Sequence, residues 1–470
     1  MRTGAAAVSP VSTSSSATAP SPIQRAAEWT AVALLVTLFA LRGLVPAWKQ
    51  LNSDFPNYFL AARLFVDGAP LERMYDWIWF QRQKDHAGID WGIVSYGPLT
   101  PFSAMVLAPF TGLSALAAKR CWLVLNLGLL AGSIALLQSM TKLGLRRVAL
   151  VTFLTVIPLR TNFDFGQQYV LVLFLVVLAG HSYLRGRGTV SGALVAIAAV
   201  LKIYPAILLV FFAIKRRWSA VAGFASATLI AVVVALTTFG WAPLRVYATF
   251  VLPRVSAGEV HDPYYLPLSS PTVLLRRLFV AEPDLNPRPL LDAPLAYIFL
   301  QPAVQGLVLS FSLWLIVRRR RDTDHDALQW GALVALSLVL STGASTYHFC
   351  VLVLATVVAL DALLRARQVR LALALVVLHV LVCAPLYRFV PSAPTGWRVL
   401  LAVPRLYALS AYWCVFLRGL AVVSKAPNAS RWETPAFGVL FVVLTLSGIR
   451  ANWQHLGGLV RTYATRVDPG

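Results

Sequence analysis

Charge is what this chain of 470 residues has least of: 13% of its residues are Asp, Glu, Lys or Arg, where about 25% is usual in a globular domain. Acids are the scarcest, 19 against 41 lysines and arginines. With 58% hydrophobic residues and a mean hydropathy of +0.70, a soluble globular domain is excluded. There is no GxxxxGK(S/T) loop, no HExxH and no CxxC pair, which weighs against an ATPase, a zinc protease and a redox protein. No apolar run carries the acids of a proton-coupled pump. The four cysteines (Cys121, Cys350, Cys383 and Cys414) lie in or beside apolar segments without metal-ligand spacing. They read as small lipid- or core-facing residues.

What the chain does have is apolar runs of spanning length, about 20 residues each. They fall near 30–47, 97–113, 121–140, 148–160, 168–184, 189–201, 203–214, 219–239, 296–317, 328–342, 347–364, 370–388, 398–422 and 434–450. Because they recur along the whole chain, a cleaved signal peptide does not explain them. The reading is an all-α polytopic membrane protein of about 11–13 spans. Residues 1–26, rich in Ser, Ala, Thr and Pro, read as a disordered cytosolic tail; 27–365 form the main membrane module and 366–470 add C-terminal helices and a tail.

The net charge of +22 sits in short clusters between apolar runs: Arg146-Arg147, Lys215 to Arg217, Arg318 to Arg321, Arg365 to Arg367. That is the pattern of cytosolic loops under the positive-inside rule and gives no reason to invoke nucleic acid. The N-terminus is then cytosolic, and the loops 48–96 and about 240–295 lie outside. Arg185 and Lys215 share one side, so the segment between them enters and leaves there as two half-helices hinged at Lys202-Ile203-Tyr204-Pro205, where the proline breaks a continuous helix. Counting 97–113, 121–140, 148–160 and 168–184 as full spans puts Arg185 on the wrong side. One of them is re-entrant, and 148–160 is the shortest.

Six acids follow Glu28 in the first outer loop: Asp54, Asp67, Glu72, Asp76, Asp85 and Asp90. Asp54 precedes the apolar pattern Phe55 to Phe65, expected to lie along the membrane surface as a helix. As Asp before Phe-Pro it suits a helix N-cap; at that depth it also suits a general base towards a lipid-delivered substrate, and the two roles are compatible. The other five acids read as solvated charge. Asp322, Asp324 and Asp326 read as a solvated cytosolic face. Lys202 lies in an acid-free stretch from Phe165 to Gly258. It either meets an anionic lipid phosphate at the hinge or snorkels to headgroups. Arg160 to Tyr169 is a polar knot between apolar segments, either an interfacial loop or a set of donors for sugar hydroxyls or phosphate. His348 enters a span at the outer face, as an interface residue or a functional one.

In chain order, Asp54-Phe-Pro-Asn-Tyr58 with Ala61-Ala62, Tyr96-Gly-Pro98, Asn162-Phe-Asp-Phe-Gly-Gln167, Leu201-Lys-Ile-Tyr-Pro205, Ser269 to Arg277 and Ser345-Thr-Tyr-His348 resemble the polyprenol-phosphate-dependent mannosyltransferases of glycosyltransferase family 87. The resemblance covers roughly residues 30–365. It implies a GT-C-type bundle with re-entrant half-helices, interfacial helices in the first outer loop, and an active site on the extracytoplasmic face of the cell membrane. There a hexose, mannose above all, would pass from a polyprenyl-phosphate donor to a hydroxyl of a glycolipid, glycan or protein, with inversion. It implies Asp54 as the base. Tyr58, Tyr96, Arg160, Asn162, Gln167, Lys202, Tyr204 and His348 would bind substrate, with Lys202 at the carrier phosphate. The loop at 262–271 departs from the expected amide-containing motif. The first loop has no Asp-x-Asp pair, so neither a divalent metal nor any other cofactor is expected. The alternative from another class is a secondary transporter or lipid flippase, which would place its polar residues along a path at mid-membrane.

Overall fold

The computed structural model describes residues 21–259, 262–389, 394–424 and 433–467. Residues 1–20 of the expected tail lie outside them. Among the described residues the chain is all-helical. Its longer helices, numbered here in chain order, are α1 (Pro22–Lys49), α2 (Phe55–Val66), α3 (Trp77–His86), α4 (Ala115–Met140), α5 (Gly144–Leu154), α6 (Val156–Phe165), α7 (Tyr169–Leu184), α8 (Gly188–Leu201), α9 (Tyr204–Ile214) and α10 (Trp218–Phe239). After the second loop come α11 (Pro271–Phe279), α12 (Pro294–Val317), α13 (Asp326–Val339), α14 (Thr346–Arg365), α15 (Val369–Cys383), α16 (Pro404–Val423) and α17 (Glu433–Val467). Among the described residues seven helices are long and apolar enough to cross a membrane, and the pair α5–α6, bent by 66°, makes an eighth when counted as one span. Shorter apolar helices (α7, α8, α9, α13 and α15) fill the bundle between them.

The early topology, left open by the sequence, closes once the prolines are weighed. The run 97–113 is no span: Pro98, Pro101 and Pro109 leave only Phe102–Met105 and a turn at Ala108–Phe110 helical. With that run removed, α1, α4, α5–α6 and α7 alternate in direction without conflict. The stretch 148–160 belongs to the bent pair, which joins opposite ends of the bundle. The tail reading also shortens, since Ser21 and Gln24 form a reciprocal cap and α1 starts at Pro22.

Paired charges mark one end of the bundle. Glu28 at the start of α1 meets Arg146 and Arg147. Asp361 accepts from the Lys142 backbone at 2.8 Å and pairs with Arg365 at 2.8 Å. Asp326, read from sequence as solvated, is buried there: Lys215 lies 2.5 Å away and the Tyr183 hydroxyl donates to it at 3.0 Å. A buried carboxylate needs such partners. Both free ends of the α8–α9 pair, at Arg187 and Lys215, lie at this basic end, and Lys202 sits at the far turn. This is the hairpin of half-helices that the charges call for.

Glycines allow the tightest packing. A Cβ on Gly192 of α8 would fall 1.8 Å from the carbonyl oxygen of Ala220 on α10, and one on Gly223 would fall 2.1 Å from that of Thr189. Close backbone contact of this kind is how small residues join helices in lipid.

α7 and α8, of 16 and 14 residues, rise about 24 and 21 Å from the basic end. α1 and α4, of 28 and 26 residues, reach about 42 and 39 Å. The outer ends of α7 and α8 border a recess, lined there by Tyr169, Leu201 and Lys202 and covered by residues of the segments 54–100 and 247–258.

Candidate active site

The recess is a cavity of about 320 Å³, within the range of small-ligand sites. Six residues singled out from sequence line it together: Asp54, Tyr58, Gln167, Lys202, Tyr204 and His348. They come from four separate segments, and Asp54 is the single carboxylate in the lining among the described residues.

Asp54 occupies the N-cap position of α2, but its side chain makes no cap hydrogen bond. The Asp54 backbone carbonyl takes the first helical bonds, from the amides of Asn57 at 3.0 Å and Tyr58 at 3.3 Å. The carboxylate turns away to accept from Gln167 Nε2 at 2.5 Å and from Ser53 Oγ at 3.1 Å. Ser53 holds φ at +37°, a left-handed conformation uncommon outside glycine. That kink aims the next residue into the cavity. Helix α2 was expected along the membrane surface. It is instead buried from Phe55 to Ala62 and packs on Phe80, Leu99 and Trp122, because both of its faces carry large apolar side chains. The exposed helix of this loop is α3, with Trp77 and Ile78 on the outside and Asp76 capping it through the Trp79 amide at 3.1 Å. Asp67, Asp76, Asp85 and Asp90 are exposed and Glu72 half-buried, as solvated charge should be.

Gln167 is delivered by the end of α6. Gly166 adopts φ +64°, its amide bonds back to Phe163 at 3.2 Å and the Gln167 amide to Asn162 at 2.9 Å. This is a Schellman ending. The glycine is required twice, for its φ and because a Cβ there would lie 2.6 Å from the Phe55 ring.

A chain of hydrogen bonds crosses the cavity wall. Lys202 Nζ donates to Tyr58 Oη at 3.0 Å, Tyr58 Oη donates to Gln167 Oε1 at 2.7 Å, and Gln167 Nε2 donates to Asp54. The donors all run from the cation towards the anion. An ionised carboxylate only accepts and an ammonium only donates, so this order fixes the Gln167 amide orientation. The Lys202 ammonium also lies over the rings of Tyr58 and Tyr169, at 5.4 and 5.3 Å from their centroids. Tyr169 stacks on Tyr204 at 6.0 Å and meets His348 edge-on at 4.4 Å. His348 Nδ1 contacts the Ser345 carbonyl at 3.0 Å, which turns the other ring nitrogen away from that backbone.

Three expected site residues stand behind the lining. Tyr96 is buried, with its hydroxyl on the Thr100 carbonyl at 2.7 Å. Asn162 is buried and caps the Tyr169 amide at 3.1 Å, so it shapes the start of α7. Arg160 is half-buried against Gly43 of α1. Tyr169, from the polar knot, and Ser345 and Tyr347, from the motif ending at His348, also line the cavity, as do Thr100, Tyr247 and Ser341 to Gly343, which had not been singled out. The last group sits in apolar or featureless sequence, where only the tertiary fold distinguishes it from ordinary span residues. Among the described residues no three His, Cys, Asp or Glu side chains are grouped to hold a metal.

Fold and site together define a polytopic helical membrane protein with one recessed, polar, aromatic-walled cavity at the end opposite its basic clusters. Residues 98–342, just over half of the chain, match the model of Glycosyltransferase family 87, and the chain belongs to that family. It is 32% identical over 186 residues to the polyprenol-phosphate-mannose-dependent alpha-(1-2)-phosphatidylinositol pentamannoside mannosyltransferase of Mycolicibacterium smegmatis, covering 37% of this chain and 42% of that one. It is 26% identical over 211 residues to the polyprenol-phosphate-mannose-dependent alpha-(1-2)-phosphatidylinositol mannoside mannosyltransferase of Mycobacterium tuberculosis, covering 39% and 45%. The chain thus matches less than half the length of these relatives. Among solved structures, ArnT from Cupriavidus metallidurans in the apo state aligns over 85% of this chain and 76% of its own, with a TM-score of 0.36 and 17% identity.

Proposed function

We propose that this protein transfers a hexose, mannose above all, from a polyprenyl-phosphate carrier to an acceptor hydroxyl on the extracytoplasmic side of the cell membrane. The observation that carries the reading is the Asp54 carboxylate, which is released from helix capping, turned into the cavity and linked through Gln167 and Tyr58 to the cation Lys202. The family membership and the names of the two relatives favour the donor and the sugar; those names also favour a glycolipid as acceptor. The basic clusters at the opposite end favour an outward-facing cavity.

In this mechanism the acceptor oxygen attacks the anomeric carbon as Asp54 takes its proton. The bond from that carbon to the carrier phosphate oxygen breaks, and the anomeric centre inverts. The departing phosphate carries its charge towards Lys202, where a fixed ammonium stabilises it. A lipid phosphate is a ready leaving group, so one base and one cation suffice. With one carboxylate in the lining, the transfer needs no divalent metal ion and no other cofactor. Tyr169, Tyr204 and Tyr347 offer ring faces for a hexose. Directly beneath the cavity, the side chains are mostly apolar, among them Leu173, Val176, Leu208, Val334 and Leu354, with Ser337 the one polar exception beside Tyr204 among the described residues, which favours an enzyme over a transporter.

The test is sugar transfer in membranes holding the full chain, with radiolabelled mannose supplied on polyprenyl phosphate or on a nucleotide. Label should reach a lipid-extractable product from the polyprenyl carrier alone. Transfer only from the nucleotide sugar would overturn the donor assignment.

A further inference from the structure

One ammonium group has no part in the chemistry above. Lys119, in the second turn of α4, has a relative exposure of 0%. Its Nζ donates to the main-chain carbonyl of Gln50 at 2.7 Å and to that of Asp164 at 2.7 Å. Burying an ammonium is costly unless its donors are satisfied, and a methionine of similar length would fill the space without that cost. What the lysine adds is the joining of these two carbonyls.

The two carbonyls belong to the two segments that build the base. Gln50 lies four residues before Asp54, and Asp164 lies three before Gln167. The Asp164 carbonyl is among those left without a helical partner at the end of α6, where a cation is also favoured by the helix dipole. Neighbours on the same turns of α4 act alike. Arg120 Nε donates to the Trp48 carbonyl at 3.0 Å, and Trp122 Nε1 to that of Gly166 at 3.1 Å. Asn52 Nδ2 donates to the Asp164 carboxylate at 2.8 Å, joining the same segments directly.

We propose that Lys119 is a positioning residue that holds the Asp54 segment in register with Gln167, so that α4 serves as the jig for the reacting carboxylate. This rests on the reading of Asp54 as the base. The plainer reading, a core stitch without consequence for chemistry, differs in what its loss disturbs.

The experiment compares wild type with Lys119→Met in the full-length protein, using turnover, binding of polyprenyl phosphate, and hydrogen exchange read by mass spectrometry. Misplacing a catalytic group by about 1 Å costs on the order of 100-fold, so kcat should fall by about 10- to 100-fold. Binding of polyprenyl phosphate, which looks to Lys202, should change by less than about twofold. Exchange should quicken in 50–58 and 163–169 and stay unchanged in 204–214. In the double variant with Gln167→Leu, kcat should fall no further than in Gln167→Leu alone. Unchanged kcat, or equal loosening of the whole bundle, would overturn the proposal. Should the wild type transfer no sugar, the functional reading fails, while the exchange pattern still decides whether Lys119 holds these segments. If Lys119→Met cannot be recovered folded, Lys119→Leu, which also lacks any N–H donor, is held to the same criteria.

Discussion

At Asp54 the main chain and the side chain have separate tasks. Its carbonyl starts α2 while its carboxylate faces Gln167 and the cavity. The sequence shows why an aspartate could stand there, but a helix start and a cavity-facing base share one local pattern, and only the partner 113 residues away separates them. Lys202 is similar: an acid-free stretch marks it as anomalous, and the Tyr58 hydroxyl at 3.0 Å gives it a place. Lys119 left no usable signal, because a lysine beside an arginine at the start of an apolar run looks like an ordinary loop charge. Removing the hydroxyl that joins cation to amide is the test suited to this scale. Tyr58→Phe keeps the buried ring packed and should lower kcat by about tenfold, the scale of a lost charge-assisted hydrogen bond. A kinetic comparison at saturating donor checks it, and an unchanged kcat would remove the link from the account.

Helices and turns were legible where composition was unambiguous and illegible where prolines interrupted it. The half-helices α8 and α9 follow from Lys202 to Pro205 flanked by basic clusters. The run 97–113 has enough apolar residues for a span, but three prolines deny it the backbone hydrogen bonds, and it folds into the cavity wall. α2 was recognisable as a helix, yet its depth was not, because burial on both faces depends on partners such as Trp122 from another helix. The turn after α6 is the element on which the site most depends. Gly166→Ala would force a Cβ within 2.6 Å of Phe55 at a φ that L-residues avoid. The strain should cost about 1–3 kcal/mol. It should appear as a lower unfolding temperature in detergent together with reduced turnover, whereas Gly112→Ala, where a Cβ meets nothing within 4 Å, should leave both unchanged. Equal effects of the two substitutions would contradict this.

Across the whole molecule, charge separates two ends. Basic clusters and their paired acids gather at one end, and the polar recess lies towards the other. If the positive-inside rule governs insertion, the first loop faces outward. Cysteines introduced singly at Asp90 and at Arg187, both exposed, in a chain with Cys121 and Cys414 changed to alanine, make the orientation measurable. A membrane-impermeant maleimide added to intact cells should label Asp90→Cys, and Arg187→Cys only after permeabilisation. The reverse pattern would turn the cavity inward and end the extracytoplasmic reading. The charge clusters made this end-to-end polarity visible in sequence. The recess was not visible, because its lining is assembled from segments that are far apart in the chain.

The central claim is that the Asp54 carboxylate removes the acceptor proton. Asp54→Asn keeps the size and the hydrogen-bonding reach of the side chain but cannot take a proton at neutral pH. In membranes supplied with polyprenyl-phosphate mannose, it should bind donor as the wild type does and lose about 100- to 10,000-fold in kcat, the range of a lost general base. Transfer by Asp54→Asn at the wild-type rate would contradict the account.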